Sequence, residues 1–276
     1  MENVRQNLIP RGYLKTWADP STPNDRKGRV WIIQKADSER KELRSPRDCF
    51  WEPDRYTIQT DAGRNVAVEK ALGRIESDYG RVICDVLQNR QLSAEQRVWL
   101  SFFAGAMLAR VGGIPDAAER MLRTGARQTR RLEEKRGAPP ERSAEMEGLL
   151  RSVHGHTASA GMIEYSKMFF DMHLSIFSAD DSVGFITSDA PIFLCIPGIE
   201  GQWQHPFLAH EHVEVSLPLS PQHMGFYSWK DRPILYRSAD RRKVDQFNSR
   251  TIAGCRKEFV SWKGILRPEW FGAEYR

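Results

Sequence analysis

Cysteine is scarce in this sequence. The four present, Cys49, Cys84, Cys195 and Cys255, are scattered through 276 residues with no C-x-x-C pair. That spacing excludes a disulfide framework and predicts reduced thiols in a cytoplasmic protein. Long apolar runs are missing as well. The longest, VWLSFFAGAMLA (98–109), has 12 residues, too few to span a bilayer, and reads as a buried helix. The opening MENVRQNLIP lacks an apolar core, so neither a secretory leader nor a membrane partner is expected. The phosphate loop G-x-x-x-x-G-K-[ST], a G-x-G-x-x-G turn, a G-x-S-x-G elbow and H-E-x-x-H are all absent. P-loop hydrolysis, dinucleotide redox and α/β-hydrolase chemistry therefore have no support. Nor does the chain carry zinc-finger spacing, an aromatic ribonucleoprotein-type run or a homeodomain pattern.

What is present is an ordinary globular balance, 28% charged and 40% hydrophobic, which argues against wholesale disorder. The net charge of +5 is local. In RMLRTGARQTRRLEEKR (120–136), seven basic residues against Glu133 and Glu134 already give +5, so the remainder is near neutral. Arg120, Arg123, Arg127, Arg130 and Arg131 recur at spacings of three and four, one stripe on a helix face. Such a stripe suits the phosphates of a nucleic acid or nucleotide. Its competing reading is a solvated protruding helix.

The pattern along the chain predicts an α+β fold in one domain, 1–276. Residues 1–60 form an N-terminal docking segment and a strand, RVWIIQK (29–35). A helical part runs from about 64 to 178. There Val68, Leu72, Ile75, Tyr79, Val82, Ile83 and Val86 line one buried face, and Ser93 with Gln96 makes a capping box. A Gly-Pro-Pro interruption at 137–140 precedes the last helix. Residues 183–276 read as β-rich, with short runs such as VGFIT, PIFLCI, HVEVSL and MGFYSW, then a capped helix (238–259) and a closing strand. The helical half is expected to pack on a mostly antiparallel sheet formed mainly by 183–237 plus N- and C-terminal strands.

IPRGYLKTWAD, VEKALGRIE, an Arg ending the long apolar helix, FITSDAPI, VSLPLSP and FNSRTIA, taken in this order, resemble the bacterial family catalogued as domain of unknown function 4238. The resemblance covers nearly the whole chain and implies a fold unit without an established activity. Family members typically carry one or two histidines before the apolar-Pro pair, where this sequence has Gln6 and Asn7. Chemistry that needs an N-terminal His is therefore not expected, since amides do not titrate near neutrality.

The candidate catalytic residues are Glu76, Arg110 and Asp189. Glu76 sits beside Leu72, Ile75 and Tyr79, and Arg110 ends an apolar helix, so a Glu76–Arg110 pair is expected. It is either structural or a site presenting a carboxylate and a bidentate guanidinium. Asp189, in FITSDAP at a strand end, either bonds the backbone of a turn or joins that site. Two carboxylates and an arginine suit acid–base work on a phosphate-bearing substrate, and are compatible with a divalent cation. Arg11, Tyr13, Ser188 and Asn248 are expected to shape the pocket, with Asn248 also suited to holding a buried backbone group. Trp203, near Pro206, is a looser candidate. HGH (154–156) and HEH (210–212) have metal-ligand spacing, but both also fit solvated faces, and no metal ligand is assigned. Two functional readings follow. One is an enzyme acting on a nucleic acid or nucleotide through Glu76, Arg110 and Asp189. The other is a non-catalytic module that uses the arginine stripe to hold nucleic acid or an acidic partner, with a toxin- or defence-related role among its uses.

Overall fold

The structure, a computed structural model, describes residues 5–22, 28–60, 63–111, 113–198, 208–230 and 235–271. The chain opens with strand β1 (Arg5–Asn7) and a short helix α1 (Arg11–Lys15), followed by the hairpin of β2 (Val30–Gln34) and β3 (Asp37–Arg44). Three small strands, β4 (Trp51–Pro53), β5 (Ile58–Thr60) and β6 (Gly63–Asn65), lead into the helices. These are α2 (Ala67–Ser77), α3 (Tyr79–Asn89), α4 (Ala94–Val111), α5 (Gly113–Arg136), α6 (Glu141–Leu150) and α7 (Val153–Asp171). The β-rich part comprises β7 (His173–Ala179), β8 (Thr187–Ser188), β9 (Phe193–Cys195), β10 (Glu214–Ser220), β11 (His223–Ser228) and β12 (Tyr236–Ala239). Helix α8 (Arg241–Gly254) and strand β13 (Glu258–Ser261) follow. The fold is α+β with mostly antiparallel sheets.

Helix boundaries follow capping chemistry. The Ser93 hydroxyl accepts from Gln96 N–H while Gln96 Oε1 accepts from Ser93 N–H, the reciprocal box expected from the sequence. Asp240 accepts from Lys243 N–H at the start of α8. Glu133, near the end of α5, accepts from the N–H groups of Arg142 and Ser143 in the first turn of α6, closing the α5–α6 hairpin across the Pro-Pro turn. Arg97 donates to the carbonyls of Phe169, Phe170 and Met172, the C-terminal carbonyls that no helical N–H reaches. That cap marks a departure from expectation. The helix ends at Asp171, and His173–Ala179 is a strand, whereas the sequence reading carries helix to 178. HLSIFSA is rich in residues that favour a pleated surface, and β11 supplies its hydrogen-bond partners.

Two main sheets form where a single one is expected. A five-stranded sheet has the order β12-β7-β11-β10-β9, and a four-stranded sheet the order β3-β2-β13-β8. N- and C-terminal strands β2 and β13 pair with each other, and β13 also with β8, not with β10 or β11. The β12–β7 pairing is parallel. Leu174, Ile176, Val215, Leu217, Leu219 and Tyr227 face the helical half in one core. On the opposite face, Phe177, Phe185, Met224 and Phe226 pack on Val244 and Phe247 of α8. Helix α4, the apolar run, is buried from Phe103 to Val111 within this core.

An aromatic hub joins the halves. Tyr13 lies against Trp17, Tyr79 and Phe103, with ring centroids 4.7, 5.4 and 5.8 Å away. Its hydroxyl shares a 2.6 Å hydrogen bond with Thr187 Oγ1 and donates to the Pro218 carbonyl at 2.9 Å. The Tyr79 hydroxyl donates to the Leu219 carbonyl. Ile9, Leu14 and Trp17 of the N-terminal docking segment are fully buried. The Tyr13→Phe variant leaves Thr187 and the Pro218 carbonyl without that partner inside the core. It should lower unfolding free energy by about 1–3 kcal/mol, measured as a fall in urea midpoint at unchanged slope.

Candidate functional site

Helix α2 carries Glu69 and Glu76, seven residues and two turns apart, hence on one face. Arg110 approaches that face from the end of α4. Its side chain is 3% exposed and its Nη2 stands 2.5 Å from Glu76 Oε1. The opening motif sets this geometry. Gly12 packs so closely on the Glu76 carbonyl that a Cβ there would stand 3.2 Å from it. Two residues before β5, Tyr56 lays its ring on the other side of Arg110, with Cζ 5.4 Å from the ring centroid. Gln6, fully buried, holds this segment. Its Oε1 accepts from Tyr56 N–H and its Nε2 donates to Thr57 Oγ1. At the position where the resembled family carries histidine, the chain thus has a structural amide next to the site.

Three buried polar atoms around this pair have no hydrogen-bond partner among the described residues: Arg110 Nε, the Tyr56 hydroxyl and Glu69 Oε2. Buried polar atoms are nearly always partnered, so three orphans on adjacent side chains mark a place for a polar group. Burial pushes the Glu69 carboxyl above its ordinary range, with Arg110 opposing and Glu76 adding to the shift. Burial likewise pushes the Tyr56 phenol up to about 12, with Arg110 and Arg55 opposing. The site therefore offers a fixed cation with a free N–H, a neutral hydroxyl, and a carboxyl that holds its proton more tightly than usual. Chemically, such a set has the donors to hold an oxyanion and a carboxyl that can carry a proton.

A second polar layer adjoins it. Arg55 bridges Glu52 and Asp116 of α5, and Asp116 also holds Arg256, whose Nη2 donates to the Val111 carbonyl. His154, second residue of α7, places Nε2 3.1 Å from Glu119 Oε2. Burial and the nearby Arg55 push the His154 imidazolium down toward its neutral form.

The structure brings together only part of the expected set. Glu76 and Arg110 form their ion pair. Asp189 does not extend it by any hydrogen bond or ion pair among the described residues. Its carboxylate accepts from the N–H groups of Arg256, Lys257 and Glu258, pinning the turn before β13. Ser188 Oγ accepts from Ala190 N–H within the same turn. Asn248 accepts from Ile186 N–H and donates to the Gly184 carbonyl, a buried brace between α8 and the 184–186 segment. Tyr13 lies wholly in the core, and burial raises its phenol far above the ordinary value, so its expected reach into a pocket gives way to the hub. Arg11 is exposed on α1.

All five stripe arginines are exposed on α5. Arg123 pairs with Glu119 and Arg130 with Glu147 of α6. Arg120, Arg127 and Arg131 have no ion pair among the described residues. His210 and His212 are exposed before β10. Among the described residues no three His, Cys, Asp or Glu side chains gather as metal ligands. Trp203 lies outside the described residues. The sequence reading missed Arg55, Tyr56, Glu69, Asp116 and Glu119, and considered His154 only as a metal ligand. Glu69 alone had a local signal, its seven-residue spacing from Glu76.

A family model described as "Protein of unknown function (DUF4238)" matches residues 5–263 of the chain. No curated protein and no solved structure matches it.

The two carboxylates of α2 have opposite effects on stability. Glu69→Gln removes a carboxyl whose folded-state affinity for a proton is raised. Such a group favours folding below its unfolded pKa and opposes it as pH rises through the folded value. The variant should be more stable than the wild type at pH 7, and the difference should vanish below about pH 4. Glu76→Gln leaves the buried Arg110 unpaired and should cost about 3 kcal/mol at pH 7. Urea titrations of both variants across pH check the contrast.

Proposed function

Because the chain belongs to the DUF4238 family, whose description names no activity, we propose its function from the site alone: an enzyme acting on a phosphate-bearing substrate, a nucleic acid or nucleotide. The observation that carries this reading is the orphaned trio of Arg110 Nε, Tyr56 hydroxyl and Glu69 Oε2 beside the Arg110–Glu76 pair. Arg110 Nε and the Tyr56 hydroxyl take phosphoryl oxygens. Glu76 fixes the guanidinium plane, which makes Arg110 a preorganised cation that need not reorient as charge develops. Glu69, protonated more readily than an ordinary carboxyl, supplies a proton to the departing oxygen. Asp189 takes no part, because both its oxygens already hold backbone N–H groups. The arginines of α5, a helix that also carries Asp116 and Glu119, draw a polyanion toward the site.

The test is incubation with labelled RNA, DNA and nucleotides, with and without divalent metal. Turnover by the wild type, reduced about 10²-fold or more in Glu69→Gln while that variant remains folded, supports the reading. Turnover that Glu69→Gln and Arg110→Lys leave untouched overturns it. The exposed, unpaired Arg120, Arg127 and Arg131 favour a second reading, a binding module. Salt-sensitive retention of nucleic acid without turnover, abolished when Arg123, Arg127 and Arg130 are changed to Glu, supports that module. Retention that survives the charge reversal removes it.

A further inference from the structure

One buried imidazole next to the proposed site has a nitrogen without a role in the fold. His154 Nδ1 is buried and has no hydrogen-bond partner among the described residues. Its other nitrogen, Nε2, lies 3.1 Å from Glu119 Oε2. The second oxygen of Glu119 accepts from Arg123 Nη2 at 2.5 Å, and this bond above all holds the carboxyl below its usual range. An ionised carboxylate only accepts, so the hydrogen bond requires the proton on Nε2 and leaves a lone pair on Nδ1. A fixed tautomer, oriented by a carboxylate on one nitrogen and open on the other, is how a general base is built. A histidine serving packing alone would have its second nitrogen partnered or exposed to water.

The imidazole is tied to the oxyanion site through Arg55 and Tyr56. Gly155, the next residue, packs on the Tyr56–Ile58 segment so tightly that a Cβ would stand 3.0 Å from the Tyr56 carbonyl and 2.7 Å from Ile58 Cγ1. Arg55 acts electrostatically on both Tyr56 and His154. The charged groups acting on His154 are Arg55 from the segment before β5, and Glu119 and Asp116 from α5.

We infer that His154 is the proton acceptor of this site, with Nδ1 as the accepting atom and Glu119 as its positioning residue; the inference rests on the reading of the site as one for phosphate esters. In the step, a water O–H bond breaks as its oxygen bonds phosphorus, and the proton passes to Nδ1. The ester P–O bond breaks with its electron pair on the leaving oxygen, which takes the proton of Glu69. His154 then releases its proton to solvent, and Glu69 is reprotonated from solvent.

Two measurements on the full chain test this. Nitrogen NMR of labelled histidine should show His154 at pH 7 as the neutral tautomer with hydrogen on Nε2, and Glu119→Gln should mix the tautomers. A proton on Nδ1 at pH 7 overturns the inference. Rates against pH are then measured on whichever of labelled RNA, DNA and nucleotides the wild type turns over. The wild-type rate should rise with pH as the imidazole loses its proton. Glu119→Gln should move this limb to lower pH. His154→Gln should abolish the limb and lower the rate about 10²-fold or more. A His154→Gln profile equal to that of the wild type overturns the inference alone, leaving the oxyanion site standing. No turnover of any substrate by the wild type removes the reading of the site and the inference together.

Discussion

The fold depends on two phenolic hydroxyls that must find acceptors in a dry core. Tyr13 and Tyr79 pack against Trp17, Trp99 and Phe103, which fixes their rings, so the hydroxyls have little freedom. Their partners lie on the strands: the Pro218 and Leu219 carbonyls accept, and the Thr187 hydroxyl donates to Tyr13. Apolar burial favours contact between the helical half and the sheets in many arrangements, since it is not directional. The hydroxyl–carbonyl bonds select one, because any slide strands a buried donor at a cost of about 1–3 kcal/mol. The Trp17 indole adds a third such bond, to the Phe185 carbonyl. Through these contacts a five-residue helix too short to stand alone becomes the point that both halves share.

The candidate site is an outgrowth of that hub. Helix α1 presses Tyr13 into the core and, one residue earlier, Gly12 onto the end of α2, which sets the height of Glu76 against Arg110. Upstream of α1, Gln6 holds the backbone of Tyr56. One short motif thus positions three walls of the site while contributing none of its free polar atoms. The orphaned atoms sit where the packing is completed by polar rather than apolar neighbours. A stability-optimised core would place methyl groups there. Arg110, Tyr56 and Glu69 instead hold desolvated groups unpaired, and residues that weaken the fold in this way gather at sites of binding and chemistry.

What the sequence made legible was local. The Ser93–Gln96 box, the Pro-Pro break before α6 and the capped start of α8 all depend on residues within a few positions of one another, and all appear in the structure, whereas the single helix face expected over 68–86 is split at Asp78 into α2 and α3. The Glu76–Arg110 pair was legible from a simple argument, that a charge on an apolar helix needs a partner. Long-range pairing was not legible. Strand β8 is two residues long and joins a sheet made of chain ends, a choice set by partners some 70 residues away at Phe259 and Val260. The end of α7 depends on Arg97, which no periodicity in the helix itself reveals. Tyr56 carries no signal in the sequence, and His154 stands out only through the H-x-H spacing. That the Tyr56 hydroxyl and His154 Nδ1 have no partner among the described residues is a property of packing and has no signature in spacing.

Asp189 and Glu69 show how much residue type alone leaves open about which carboxylate lies with the Glu76–Arg110 pair. Both are carboxylates near an apolar run, and sequence favours Asp189 because it stands at a strand end before proline. In the fold the Asp189 carboxylate accepts from three backbone N–H groups, those of Arg256, Lys257 and Glu258, so its oxygens are committed to holding a turn. Glu69 is half-buried, and burial raises its carboxyl pKa although Arg110 opposes the shift, while among the described residues its Oε2 has no hydrogen-bond partner. What each carboxyl meets is therefore set by which backbone amides lie within reach: the 256–258 turn supplies three to Asp189, and among the described residues Glu69 Oε2 has no hydrogen-bond partner.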